Sequence, residues 1–349
     1  MKALVASAIV VVFVALGPSP AAAQGGDAVV TFSPSLLQQR PVTTPQKPPP
    51  PPPPPAYQPI REGTYVGYLD DAIVRSRIRI RFEQGFNVDV PDRAEFFYAK
   101  CGCYATLPED HPAKDPHAPG PGPGIASDID FQQVYLFAEA AVGRISMFGE
   151  LPLRWIQALD VDGNKPFDDA GGLSDIRVGL RYGIVGKPDR AITAQVQFYL
   201  PSGSAEKGLG TNHGTFEGSG LFYREINPKF RVEGQVGLWL PLGGSDPVPI
   251  DADGKFSGNV LFYGVGPSME VYRRGDLVVG PVVELIIWNV LSGFQTAEDS
   301  DASSTIANIK FGARVGWGAR GSIYVGYGKA LTDAKWYSDL FRLEYRYTF

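Results

Sequence analysis

The feature that most constrains this chain is a strict two-residue alternation of apolar and polar side chains. In residues 173–184, Ile176, Val178, Leu180 and Tyr182 alternate with Asp175, Arg177, Gly179 and Arg181. In 191–201, Ile192, Ala194, Val196, Phe198 and Leu200 alternate with Thr193, Gln195, Gln197 and Tyr199. In 230–242, Val232, Val236, Leu238 and Leu240 alternate with Arg231, Glu233 and Gln235. Successive side chains of a strand point to opposite faces, so each segment is a strand with one greasy and one wet side.

Two readings fit such strands: a soluble sandwich with an apolar interior, or a membrane barrel with an apolar exterior. The N-terminus bears on the choice. Met1 and Lys2 precede an apolar run from Ala3 to Leu16, and Ala21, Ala22 and Ala23 precede Gln24. A basic start, a short apolar centre and small residues at the end read as a cleaved secretory signal peptide over 1–23. The run is too short for a spanning helix, which needs about 20 residues. No later segment supplies one; the most apolar, 277–290, carries Glu284 at its middle. An exported membrane protein with no helical span has to be a closed barrel, the one other fold that satisfies every backbone group in lipid. Aromatic residues make up 12% of the chain. The mean hydropathy near zero is that of a wall whose wet lumen offsets its greasy exterior.

The connections alternate in length. Short turns are expected at 143–144, 186–189, 227–228, 274–276 and 319–321. Long Gly-, Asp-, Pro- and Ser-rich loops are expected at 106–127, 158–172, 203–214, 244–255, 291–304 and 332–338. Short turns at one end and long loops at the other mark outer-membrane barrels, the short ones facing the periplasm. The strands fall at 73–84, 129–142, 145–157, 173–185, 190–202, 215–226, 229–243, 256–272, 277–290, 305–318, 322–331 and 339–349, twelve in all. The predicted fold is all-β: a transmembrane antiparallel up-and-down β-barrel of about 12 strands over 63–349, with a long first outer loop at about 85–127. If 94–105 also belongs to the wall, the count becomes fourteen. The last strand ends in Tyr345, Tyr347 and Phe349, alternating with Arg346 and Thr348. That ending resembles the signal read by bacterial barrel-assembly machinery.

Between the leader and the barrel, 24–62 is Pro-rich, with eight consecutive prolines at Pro48–Pro55. This segment favours extended polyproline II and reads as a periplasmic spacer, with docking to a periplasmic partner as the sharper alternative.

The first strand sets Arg75, Arg77, Arg79 and Arg81 on one face. Facing hydrocarbon, each would cost about 2–4 kcal/mol near the midplane, so they must face the lumen. The same alternation places Arg154, Arg177, Arg181, Arg231, Lys310, Arg314, Arg342 and Arg346 there, with Glu139, Glu150, Asp175, Glu217, Glu233, Glu284 and Glu344, twelve bases against seven acids. These residues are either an ion-pair network bracing a filled barrel or a pathway that favours anions.

The stretch Gly172-Leu173-Ser174-Asp175-Ile176-Arg177-Val178-Gly179-Leu180-Arg181-Tyr182 is followed by Phe198-Tyr199-Leu200-Pro201-Ser202-Gly203 and by Gly208-Leu209-Gly210-Thr211-Asn212. Over about 145–349 this resembles the outer-membrane barrels of the meta-pathway phenol-degradation family, with their "GLGD", "LPTG" and "LGTG" patterns. The resemblance implies a barrel that helps aromatic or other hydrophobic compounds cross the outer membrane. The Pro-rich arm, the Arg ladder and the Cys-containing loop depart from that pattern.

Other chemistry is thin. His111 and His117 lie near Asp110, Asp115, Cys101 and Cys103, but the spacing matches no tight ligand set, and no metal is expected. Cys101 and Cys103 could form a local disulfide. Asp160-Val161-Asp162-Gly163-Asn164 and Asp251-Ala252-Asp253-Gly254 lack the full ligand series of a Ca²⁺ loop. His213 near Ser202 and Ser204 would need an orienting third group to act as a hydrolase, and no nucleophile-elbow motif is present.

The expectation is a bacterial outer-membrane channel or uptake barrel for small molecules, with no enzymatic activity and no cofactor. The alternative is a non-conducting anchoring barrel with a partner-binding Pro-rich arm. The expected partners are outer-membrane lipid, the assembly machinery and an unidentified small solute. A net charge of −5 gives no reason to expect nucleic acid.

Overall fold

The computed structural model describes residues 64–88, 107–111, 114, 129–158, 169–204, 207–211, 213–243, 258–292, 305–318 and 320–349. The leader, the Pro-rich arm, Cys101, Cys103, His117, Asp115, 160–164 and 251–254 lie outside them.

Fourteen strand segments form one antiparallel sheet. They are β1 (Arg77–Val88), β2 (Ile129–Val142), β3 (Ile145–Ala158), β4 (Ala170–Leu173), β5 (Ile176–Lys187), β6 (Arg190–Leu200), β7 (Gly214–Asn227), β8 (Phe230–Leu242), β9 (Val260–Met269), β10 (Tyr272–Arg274), β11 (Leu277–Val290), β12 (Thr305–Trp317), β13 (Gly321–Ala330) and β14 (Asp339–Thr348). β4 and β5 share one stave, broken at Ser174 and Asp175, and β9 and β10 share another, so the wall is a closed ring of twelve staves. Closure comes from β1 on β14, in register from Arg77 opposite Thr348 to Phe86 opposite Asp339. A ring has no edge, and every stave finds a partner on both sides.

Three boundaries differ from the sequence reading. The first strand runs 77–88 rather than 73–84, so Arg75 is outside it and the first long loop begins after Val88. The stave expected at 256–272 is split by Glu270 and Val271. The stave expected at 173–185 begins before its break, as β4.

The outer wall is apolar. Ile78, Ile80, Leu136, Leu180, Ile192, Val196, Phe198 and Leu343 are all exposed, and Leu180 reaches 51%. A continuous belt of such residues far exceeds the patch a water-soluble monomer tolerates. Their inward neighbours are charged and buried: Arg79, Glu139, Arg181, Arg231, Glu284 and Lys310. No helix among the described residues is long and apolar enough to cross a membrane; the strands make the crossing. Tyr345 and Phe349 point outward, and the Tyr345 ring stacks on Trp317 with centroids 6.2 Å apart.

A lipid-facing wall makes a sharp prediction. Val196 lies at the centre of the outward series of β6. Val196→Arg is expected to destabilise the vesicle-embedded protein by about 2–4 kcal/mol, read from urea unfolding. Near-neutral behaviour there would mean that water, not lipid, covers the wall.

Candidate functional site

The lumen is occupied by the chain itself. Residues 64–76 precede β1 and run inside the ring. Thr64, Tyr65, Val66, Leu69, Asp71, Ala72, Ile73 and Val74 are all buried. The segment enters at the short-turn end, where the Tyr65 amide donates to Glu233 (3.3 Å) and the Tyr65 hydroxyl to Glu270 (3.3 Å). It bends at 67–69, where the amides of Gly67, Tyr68 and Leu69 all donate to the Glu284 carboxylate at 3.1, 2.9 and 2.8 Å. Three donors on one carboxylate satisfy a turn that would otherwise bury bare N–H groups. The Asp70 amide then donates to Gln235 (2.9 Å), and the Ala72 carbonyl accepts from Thr193 (2.5 Å). On the return limb Ser76 accepts at its carbonyl from the Phe349 amide (3.1 Å). Arg314 and Arg342 donate to the carbonyls of Val66 and Gly67.

Missing side chains on the wall make the space. A Cβ on Gly264 would stand 2.6 Å from Leu69, one on Gly266 2.9 Å from Val66, and one on Gly280 2.3 Å from the Tyr65 ring. On the plug, a Cβ at Gly67 would meet the Tyr324 ring at 2.2 Å.

Charge binds plug to wall. Asp71 pairs with Arg75 (3.2 Å), Arg346 (3.3 Å) and Arg77. Arg77 also reaches Glu139 (2.7 Å), which takes Arg181 (3.3 Å) and the Ser146 hydroxyl (2.6 Å). Glu150 alone serves Arg79 (2.9 Å), Arg81 (3.3 Å) and Arg177 (2.7 Å). Glu344 takes Arg314 (2.8 Å) and Arg346 (3.0 Å), and Glu83 takes Arg81 (3.3 Å) and Arg342. The guanidiniums also lie on ring faces: Arg81 on Tyr135 (3.7 Å), Arg342 on Tyr68 (3.9 Å) and Arg79 on Phe137 (4.3 Å).

The inward face of the wall carries Arg77, Arg79, Arg81, Glu139, Glu150, Arg154, Arg177, Arg181, Arg231, Glu233, Glu284, Lys310, Arg314, Arg342, Glu344 and Arg346. Two of the residues named from sequence differ from that set: one lines the cavity described below but sits at a strand break, and one lies off the wall. Asp175 is buried in the break between β4 and β5, where it accepts from the Gly203 and Thr211 amides (3.0 and 2.8 Å) and the Thr211 hydroxyl (2.8 Å), holding down loop 201–213. Arg75 belongs to the plug's return limb, not to the β1 ladder. The count of twelve bases to seven acids misses Glu83 on β1 and Asp70 and Asp71 on the plug.

The long-loop end closes differently. Trp336, from the last loop, is 1% exposed; it stacks on Trp239 (5.7 Å, 12°) and lies against Trp288 (5.1 Å, 50°). Glu217 accepts from the Trp239 indole and the Tyr199 hydroxyl, both at 2.8 Å. Between this aromatic cap and the plug is a cavity of about 90 Å³. One side carries Asp70, Arg81, Glu150 and Arg177; the other carries Trp239 and Trp288.

The Ser/His pairing does not form. The Ser202 hydroxyl donates to the Ser174 carbonyl (2.9 Å) and accepts from the Ile176 amide (2.8 Å). His213 Nδ1 donates to the Thr211 carbonyl (2.7 Å), and burial lowers its pKa. Among the described residues no group of three or more His, Cys, Asp or Glu is arranged to hold a metal ion.

No family model matches the chain, and no curated protein does. Among solved structures it is similar to an outer-membrane channel from Pseudomonas putida F1 (13% identity, 82% of this chain and 100% of that one, TM-score 0.49). It is also similar to the β domain of the Bordetella autotransporter BrkA (13%, 79% and 100%, TM-score 0.44) and to the KdgM porin (9%, 78% and 99%, TM-score 0.39).

Asp71→Asn strips one buried carboxylate from three guanidiniums. The expected cost is about 3–5 kcal/mol of unfolding free energy, measured by urea titration in vesicles. Lys329→Gln breaks only the exposed pair with Asp339 and is expected to shift nothing measurable.

Proposed function

We propose that this protein is an outer-membrane channel for small molecules whose resting state is closed by its own residues 64–76. The observation that carries the proposal is the way the plug is held. It is a short segment without strand pairing, attached to the wall by side-chain-to-backbone hydrogen bonds, by the ion pairs of Asp71 and by apolar packing of Val66, Leu69 and Ile73. It can leave without breaking the ring, because the β1–β14 closure is made by residues 77–86 and not by the plug. The cavity above the plug presents both charged and aromatic surface to an incoming solute.

The plug also sets the charge of the path. The plug carries Asp70, Asp71 and Arg75, a net charge of −1 that offsets part of the wall's cationic excess. With the segment out, Arg77 and Arg346 lose a counter-charge and the lumen becomes more cation-rich, which favours anions. An aromatic or hydrophobic cargo remains the reading that the resemblance of 172–212 implies.

A second reading has its own support. Arg77, Arg231, Glu233, Glu284 and Glu344 are at most 1% exposed, a density of buried pairs that suits a permanently closed, anchoring barrel.

Planar-bilayer recording separates the two. The wild type is expected to be closed most of the time. Deletion of 64–76 is expected to give stable anion-selective openings, with selectivity reduced by Arg79→Ala. Silence from a deletion variant whose heat-modifiable gel shift shows it folded would assign the barrel to anchoring.

A further inference from the structure

The outer wall carries a cationic row that neither the plug nor the lumen explains. β5 and β6 are joined by the tight turn Pro188-Asp189, and β6 and β7 are neighbours in the ring. In this register Lys187 stands opposite Arg190, and Arg190 stands opposite Arg224. All three side chains are exposed. Arg190 and Arg224 share the outward face with Ile192 and Phe222, which sit opposite each other one outward position further into the apolar belt.

Like charges directly opposite across strands are destabilising. Three on one rung carry a cost that a bound anion would offset. The protein supplies one carboxylate, Asp189, which pairs with Arg224 at 2.7 Å. Among the described residues neither Lys187 nor Arg190 has a carboxylate partner. Glu225, the nearby acid on β7, is turned toward Arg231 (3.8 Å).

The row also lies at a particular depth. The outward apolar series of β6 runs from Ile192 to Leu200, and Arg190 is the first residue beyond it at the short-turn end. At about 3.3 Å per residue, reduced by a tilt of about 40°, the series is close to the height of an outer-membrane apolar band. Arg190 therefore stands where hydrocarbon gives way to headgroups, with Lys187 and Arg224 on either side.

We propose that Lys187, Arg190 and Arg224 form a binding site for the phosphodiester headgroup of an anionic phospholipid in the leaflet at the short-turn end, with the acyl chains lying on Ile192 and Phe222. A phosphodiester provides acceptor oxygens to be shared by two guanidiniums and an ammonium. The glycerol backbone points from that phosphate into the apolar belt, as the row and belt are ordered here. A free anion would satisfy the charges without using the belt. The site rests on the lipid-facing wall and is independent of whether the lumen conducts.

The test uses the full-length protein refolded into phosphatidylcholine vesicles, with spin-labelled phosphatidylglycerol or phosphatidylcholine as probe and the fraction of motionally restricted lipid as readout. The wild type is expected to select phosphatidylglycerol about tenfold. Arg190→Gln is expected to lower that preference about fivefold, and Lys187→Gln/Arg190→Gln/Arg224→Gln to abolish it. Arg190→Lys, which keeps the charge, should retain most of it. Asp189→Asn, which frees Arg224, should raise it, a gain that no folding defect produces. Heat-modifiable migration shows which variants are folded. Full preference in the folded triple variant would overturn the proposal. So would loss of the wild-type preference on adding millimolar inorganic phosphate, since the row would then be a site for a free anion.

Discussion

The structure depends on how buried cations find counter-charge. Arg77, Arg79 and Arg81 occupy successive inward positions of β1, because lipid forbids the outward ones. Inside the ring they are no more exposed than a hydrophobic core, and an unpaired guanidinium there would be prohibitive. Closing β1 on β14 makes this harder, since it sets Arg79 directly opposite Arg346. Relief comes from Glu344 on β14, Glu139 and Glu150 on β2 and β3, and Asp71, which no strand provides. The plug is thus part of the electrostatic solution to the ladder. A buried ion pair gives little net stability over an apolar contact but a large penalty when half of it is removed. The network therefore specifies one arrangement of the segment more than it strengthens the barrel.

Much of this was legible in the chain. Period two and the alternation of turn lengths led to a twelve-stave ring. The seam between the first and last strands followed from closure alone. The start of β1 was not legible. Val74 and Arg75 continue the alternation of Arg77-Ile78-Arg79, and the departures at Ile73 and Ser76 are too slight a mark to say where a strand ends and a luminal limb begins. That boundary is set by the far partner: β14 ends at Thr348, and only Ser76 is left to meet the Phe349 amide. One trace of the plug was present in the sequence. Gly264, Gly266 and Gly280 fall on inward positions of adjacent staves, and an inward face without side chains has to be filled by something else.

Asp175 shows the opposite failure. Its position in the alternation is right, and its role is not one that alternation can reveal. The stave breaks at Ser174 and Asp175, and the freed carboxylate binds the amides of Gly203 and Thr211. The Gly-rich pattern of 172–182 and of 203–212 is therefore one structural unit: a strand break and the loop that folds onto it. A Cβ at Gly210 would come within 2.5 Å of the Asp175 carboxylate, so the small residues in that loop are the condition for the contact. These motifs describe how a loop is pinned to the barrel rim and say little about what the barrel carries.

The two ends of the lumen are closed by unlike means, and this bears on how the barrel would open. The cap at the long-loop end is aromatic: Trp336 on Trp239 and Trp288, contacts whose strength is nearly indifferent to ionic strength. The plug at the short-turn end combines apolar packing of Val66, Leu69 and Ile73 with polar contacts that water or a competing carboxylate can replace one at a time. The cavity between them meets both kinds of surface, with Arg342, which donates to the plug's Gly67 carbonyl, on one side and Trp239 on the other. A solute with an apolar body and an anionic end would thus compete with both closures from a single position, loosening the cap with its body and the plug with its charge. A purely apolar solute would leave Asp71 and its arginines untouched. In the channel proposed above, the plug's charges would therefore act as a selectivity element even though they line no open pore.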